Sequence, residues 1–180
     1  MNPAQKEQLN IILGRRSIRV FAPGAVSDEA ISALLAAAMA APSAVARDPW
    51  RFVVLRQSRS LQQIADALPH GRLLASAAAG VVVCGDLETA HDKQLSYLLQ
   101  DCSAATENLL LAAHILGLGA CWLGVHPREE RVRRLSQLLG LPGHVIPVAC
   151  IAIGQPGETK EPRTRFNPAY VHQEKWSPAS

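Results

Sequence analysis

The chain has 180 residues, which on a prior of about 150 residues per domain argues for one compact domain spanning 1–180 rather than a tandem array. Hydrophobic residues make up 48% and charged residues 18%, which excludes a disordered chain and leaves more apolar surface than one small globule needs to bury. Eighteen basic against fifteen acidic residues give a formal net charge of +3, too mild for a nucleic-acid binder but compatible with a small anionic ligand.

The polar start, MNPAQKEQLN, lacks the charged-then-apolar pattern of a signal peptide, so a cytoplasmic location is expected. Residues 5–14 place Leu9, Ile12 and Leu13 on one helical face, with Gly14 as the stop. The stretch RRSIRVFAPGAVS reads as loop. Ser27 suits the N-cap of a helix to about Ala41, with Asp28 and Glu29 in its positive first turn and Pro42 halting it. That helix is apolar almost all round, the pattern of a segment buried on several sides. Residues 50–56 read as a strand and 60–68 as an amphipathic helix, while the β-branched run at 80–85 reads as an interior strand.

A long helix is expected from about Lys93 to Leu116, again rich in small apolar residues in its second half. Residues 120–125 read as a strand. The longest apolar run, Leu109 to Val125, falls short of the roughly 20 residues that span a membrane, so no membrane partner is expected. The next helix starts with Pro127 in its first turn and ends at Gly140, and 145–154 is a strand. From Gln155 to Ser180 the chain turns polar, with prolines at 156, 162, 168 and 178, and reads as an extended tail. The whole is an α+β layered domain with three or four central strands.

Three features carry chemistry. Arg15, Arg16, Ser17 and Arg19 place three guanidiniums and a hydroxyl within five residues, equipment suited to phosphate oxygens, although such a loop is also an ordinary solvated helix end. In the tail, Lys160, Arg163 and Arg165 recur among Glu158 and Glu161, either as a self-compensated surface stretch or as a second basic cluster converging on the same phosphate. The glycine-studded LGLGACWLG at 116–124 fails as a dinucleotide fingerprint but lets backbone approach a flat ligand closely.

Protein nucleophiles and metal sites are not indicated. The four cysteines show no C-x-x-C pair or His at ligand spacing, and each lies in an apolar stretch as a reduced core residue. Cys121 lacks a local basic partner to lower its pKa. Arg131, Arg133 and Arg134, following Glu129 and Glu130, read as a solvated helix face.

Taken together, R-R-S-I-R-x-F at Arg15–Phe21, A-P-S-A at Ala41–Ala44 with Pro49-Trp50, G-L-G-A-C-W-L-G at Gly117–Gly124 and the R-T-R tail resemble the FMN-dependent nitroreductase family, in the family's order along most of the chain. The resemblance implies a three-layer sandwich, a central, mostly antiparallel sheet flanked by helices, in an intertwined homodimer whose tails, 155–180 here, reach over the partner. It implies FMN in the dimer interface. Arg15 and Ser17 would contact its phosphate, Arg16 the ribityl-phosphate region and Arg19 the pyrimidine edge, with Arg163 and Arg165 completing the phosphate site. Pro42, Ser43 and Ala44 of the second chain would line the ring, and the backbone at Leu123 and Gly124 would face it near N5. Ala46 stands where the family usually carries an Asn at the flavin's polar edge, and Asp48 where Gln is usual. The implied activity is ping-pong hydride transfer from NADH or NADPH through flavin N5 to a small electron-poor acceptor such as a nitroaromatic or quinone, with no catalytic side chain required. A flavin carrier or regulator using the same pocket without turnover is the alternative.

Overall fold

The computed structural model describes residues 1–176, so residues 177–180 of the expected tail lie outside the described residues. The first helix, α1 (Pro3–Gly14), begins two positions before its periodicity does. The reason is a capping box: the Asn2 side chain accepts from the Gln5 amide at 2.8 Å, and Gln5 Oε1 accepts from the Asn2 amide at 2.9 Å. Leu9, Ile12 and Leu13 lie on α1 as expected, yet no residue of α1 is buried. β1 (Phe21–Ala22) is a two-residue strand inside a stretch expected as loop, and its signal is tertiary, because it exists only by pairing with Gln155 and Pro156 at the far end of the chain's last strand.

The helix α2 (Asp28–Met39) starts where expected, the Ser27 hydroxyl accepting from the Ala30 amide at 3.1 Å. Strand β2 (Trp50–Leu55) and helix α3 (Ser58–Ala67) fall within two residues of expectation, while α4 (Arg72–Ala75) is a single turn too short to show periodicity. Strand β3 (Ala79–Asp86), helix α5 (Leu95–Ile115) and strand β4 (Gly119–Gly124) follow. Helix α6 (Glu129–Leu139) corrects one expectation. Pro127 lies ahead of the helix rather than in its first turn, because Arg128 takes the extended N-cap position and Glu129 and Glu130 occupy the positive first turn. Gly140 closes α6 at φ 62°, the left-handed conformation that glycine adopts without strain. Strand β5 (Val145–Pro156) runs two residues past its apolar core into the expected tail.

The sheet has five strands, not three or four, in the order β1-β5-β3-β2 with β4 also paired to β5, every named pair antiparallel. It is the middle of three layers. Along β3, Val81 and Val83 face one way and Val82 and Cys84 the other; along β5, Ala149, Ile151 and Ile153 oppose Cys150 and Ala152. The first set packs with Ile31 and Leu34 of α2 and Leu98, Cys102 and Leu109 of α5. The second packs with Ile64 of α3, Leu74 of α4 and Leu135 of α6. Burial on both faces explains why β3 and β5 are continuous apolar runs.

The apolar excess is only partly buried. On α2 the residues Ile31, Leu34 and Ala38 are enclosed, but Met39 is open, as are Ile115 at the end of α5 and Leu9, Ile12 and Leu13 of α1. Among the described residues, no helix is long and apolar enough to cross a membrane.

Candidate functional site

The loop after α1 is held in the sheet's plane by its backbone: the Ile18 amide donates to the Ala120 carbonyl at 3.0 Å, making a parallel bridge between Ser17 and the start of β4. Its side chains then splay to one side. Arg15, Arg16, Ser17 and Arg19 line a cavity of about 250 Å³ whose remaining walls are Arg163 and Arg165 of the tail. The two clusters, nearly 150 positions apart, therefore meet. Five arginines line this space, and among the described residues no Asp or Glu does.

Charge balance sharpens the picture. Arg15 pairs with Glu107 of α5 at 3.3 Å. Among the described residues, no carboxylate pairs with Arg16, Arg19, Arg163 or Arg165, and Arg16 Nε is buried without a hydrogen-bond partner. The buried, unpaired Arg16 donor is costly, and the exposed Arg19, Arg163 and Arg165 set like charges beside it, so an anion carrying several oxygens would satisfy the donor and offset the repulsion. The cavity fits a phosphate.

The tail reaches this position through a clasp that its sequence does not advertise. Glu158 Oε1 accepts from the amides of Arg19 at 2.6 Å and Val20 at 3.3 Å, and from Lys160 Nζ at 2.8 Å. Lys160 Nζ also donates to the Ser17 carbonyl at 3.0 Å, and the Gly157 amide to the Val20 carbonyl at 2.9 Å. Lys160 first, then the Arg19 amide, hold the Glu158 carboxyl below the ordinary glutamate range. The reading of Glu158 and Lys160 as self-compensated is thus correct for their charges, and incomplete, because the pair is also bonded to the arginine loop.

The other expected residues lie elsewhere. Pro42, Ser43, Ala44 and Ala46, between α2 and β2, are not among the residues lining the arginine cavity. Their loop is unusual: Val45, Ala46 and Asp48 have φ of 52°, 50° and 50°, left-handed values rare outside glycine. Ser43 Oγ donates to Asp48 Oδ1 at 2.5 Å and accepts from the Asp48 amide at 3.0 Å, and the Ala44 amide donates to Asp101 Oδ1 at 2.9 Å. Leu123 is buried in the α3/α6 layer, whereas Gly124 is exposed, with open space where a Cβ would stand. β4 links this glycine to the arginine loop, running from Ala120 to Gly124 over roughly 13 Å at 3.3 Å per residue. A residue the sequence reading placed on a solvated face holds its end: Arg131 donates to the Gly124 carbonyl at 2.8 Å, while Arg133 pairs with Glu130 at 3.5 Å as expected.

No thiol competes for the chemistry. All four cysteines are free and buried, and burial pushes the Cys84, Cys102 and Cys150 thiols up to about 12. Cys121 does have basic neighbours, Arg19, Lys160 and Arg15, but burial outweighs them and raises this thiol too.

The Nitroreductase family model matches residues 12–71 and 70–155. The chain belongs to the nitroreductase family. A protein of Archaeoglobus fulgidus, provisionally named an NADH dehydrogenase/NAD(P)H nitroreductase, is 45% identical over 174 residues, covering 95% of this chain and 99% of its own. A solved Parabacteroides distasonis protein with the same provisional name superposes with a TM-score of 0.89 at 37% identity, over 94% of this chain and 99% of that one. A nitroreductase-like protein of Desulfovibrio desulfuricans, solved in complex with FMN, superposes at 0.81 with 31% identity, over 98% and 99% of the two chains. The three-layer architecture of this chain is the nitroreductase fold.

Proposed function

We propose that this nitroreductase-family chain is an FMN-dependent oxidoreductase that passes hydride from NADH or NADPH to a small electron-poor acceptor, such as a nitroaromatic or a quinone, in a ping-pong cycle. One observation carries the reading: five arginines and Ser17 line one cavity with no Asp or Glu among the described residues, and Arg16 Nε is buried and unpaired. The solved relative with FMN supports the choice of anion. Bound flavin would supply the redox chemistry, hydride passing through its N5 from the nicotinamide to the acceptor. The chain's own residues do the rest.

Arg15, Arg163 and Arg165, with Ser17, hold the phosphate, each charge-assisted bond contributing about 1.5–3 kcal/mol. Arg16 takes the ribityl-phosphate region and fills its donor. Arg19 sits at the pyrimidine edge, where a fixed positive charge offsets the negative charge gained on reduction. The backbone of Leu123 and Gly124 approaches the ring at the end of β4, and the missing Cβ of Gly124 leaves room for a planar group. Pro42, Ser43 and Ala44, with Ala46 beside them, line the ring from a second copy, since one chain does not bring them to the arginine cavity.

That second copy also accounts for the open apolar side chains. Ile12 and Leu13 of α1 are 57% and 53% exposed, and Phe166 and Trp176 of the tail 76% and 83%, more than isolated apolar residues on a surface. A homodimer in which the tail beyond Arg165 lies over the partner would cover them.

The test is a visible absorption spectrum of the purified protein, before and after anaerobic addition of each nicotinamide. A yellow protein that releases FMN on denaturation and bleaches with NADH or NADPH is expected. A colourless protein that leaves added FMN fluorescence unquenched overturns the cofactor assignment, and bound flavin that neither nicotinamide bleaches overturns the activity.

A further inference from the structure

The buried carboxylate of Asp101 has no part in the chemistry above. It lies in the first half of α5, 5% exposed, beside Cys102. Its Oδ1 accepts from the Ala44 amide at 2.9 Å, and its Oδ2 is buried with no partner among the described residues. A buried carboxylate with a free oxygen is expensive to keep. At the other end of that bond is a strained segment. Val45, Ala46 and Asp48 each hold a left-handed φ near 50°, a conformation costing on the order of 1 kcal/mol or more for a residue with a Cβ, and most for a β-branched one such as Val45.

Such strain persists only where the surroundings over-determine it. The loop closes on itself through the Ala46 amide to the Ser43 carbonyl at 3.1 Å, the Arg47 amide to the Ala44 carbonyl at 3.2 Å, and the paired Ser43 and Asp48 contacts. These bonds shape the loop without placing it. Arg51 Nη1 donates to the Asp48 carbonyl at 3.2 Å from the adjoining strand, and the Ala44 amide to Asp101 is the hydrogen bond that anchors the turn to α5, 57 positions away.

We infer that Asp101 is a positioning residue: through the Ala44 amide it sets the orientation in which Ser43 and Ala44 are offered to the ring of the bound cofactor. The inference rests on the FMN reading, but the loop's anchoring is measurable without cofactor. The experiment uses three variants. Asp101→Leu removes the acceptor, and Asp101→Asn keeps an oxygen at the same place. Ala44→Pro deletes the donor from the opposite side, at the first position of a short 3₁₀ turn after an extended Ser43, where proline fits the backbone.

Two readouts are taken. In the apoprotein, tryptic cleavage after the exposed Arg47, followed by mass spectrometry, rises about tenfold in Asp101→Leu and Ala44→Pro, as expected for loss of a hydrogen bond to a charged group, and returns to near the native rate in Asp101→Asn. With FMN bound, the shape and position of the visible flavin bands change in the first two variants and are restored in the third. Native cleavage rates and native spectra in both Asp101→Leu and Ala44→Pro overturn the inference. If Asp101→Leu does not fold, Ala44→Pro decides. A native protein that takes up no FMN sinks the cofactor reading instead, and the cleavage comparison still shows whether Asp101 anchors the loop.

Discussion

Glu158 accepts the backbone amide of Arg19 at 2.6 Å across 139 positions of chain. That one oxygen also takes Val20 and Lys160, so the tail is docked on the arginine loop before it presents Arg163 and Arg165 to the cavity. Site assembly and tail docking are therefore a single event. Replacing Glu158 by Ala should weaken FMN binding about tenfold although Glu158 does not line the arginine cavity, because docking must then be recovered from binding energy. Fluorescence-quench titration measures it, and an unchanged dissociation constant would show that the tail docks without the clasp.

The same contact gives the tail a pH dependence of fixed sign. The folded Glu158 carboxyl lies below its ordinary value of 4.5, so its contribution is complete above that value and is lost as pH falls through the lower, folded one. Acid should release the tail, and thermal melts taken through the acid range should lose less stability in Glu158→Gln than in the native protein. Parallel pH profiles for the two would remove Glu158 from the acid response.

Arginine identity can be separated from arginine number. The double change of Arg15 and Arg165 to Ala removes two walls of the cavity, whereas Arg133 and Arg134 to Ala takes the same charge from the exposed face of α6. With charge-assisted bonds at about 1.5–3 kcal/mol each, the first pair should raise the FMN dissociation constant at least a hundredfold and the second by less than about threefold. Isothermal titration of apoprotein compares them directly, and equal effects would mean that net charge alone attracts the ligand.

Two glycines should respond oppositely to the same methyl group. A Cβ at Gly85 would fall on the side chain of Leu98, fully buried between β3 and α5, so Gly85→Ala should cost about 1–3 kcal/mol of stability. A Cβ at Gly124 meets nothing within 4 Å, so Gly124→Ala should melt with the native protein yet bind or reduce FMN less well if that backbone faces the ring. Calorimetry and flavin titration on the same two samples check both halves.

Ala46 occupies a left-handed position, φ 50°, where Asn is among the best-tolerated side chains. Ala46→Asn should stabilise the chain by relieving strain and, if the amide that the family resemblance implies here reaches the flavin, tighten FMN binding by about 0.5–1.5 kcal/mol, or roughly twofold to tenfold. Stability gained without affinity would show that the amide does not reach the flavin.

Much of the fold was legible in local pattern. The continuous apolar runs of β3 and β5, the cap at Ser27, the long apolar α5 and the stop at Gly140 are each written within a few residues, because burial and capping act on neighbouring positions. Composition likewise announced the guanidiniums of the site. What local pattern could not hold was which distant groups would meet. Arg163 shares a cavity with Arg16 because Gly157 and Glu158 bond to residues 19 and 20; Asp101 finds the Ala44 amide because α5 packs beside α2; and β1 exists as a partner for the end of β5. Such contacts join single donors to single acceptors across long separations, with no period to detect and no neighbour to signal them. The sequence by itself determined the layers and the charge available for an anion, and tertiary structure decided where that charge is gathered and how it is held, since a hydrogen bond is set by three-dimensional distance and not by position along the chain.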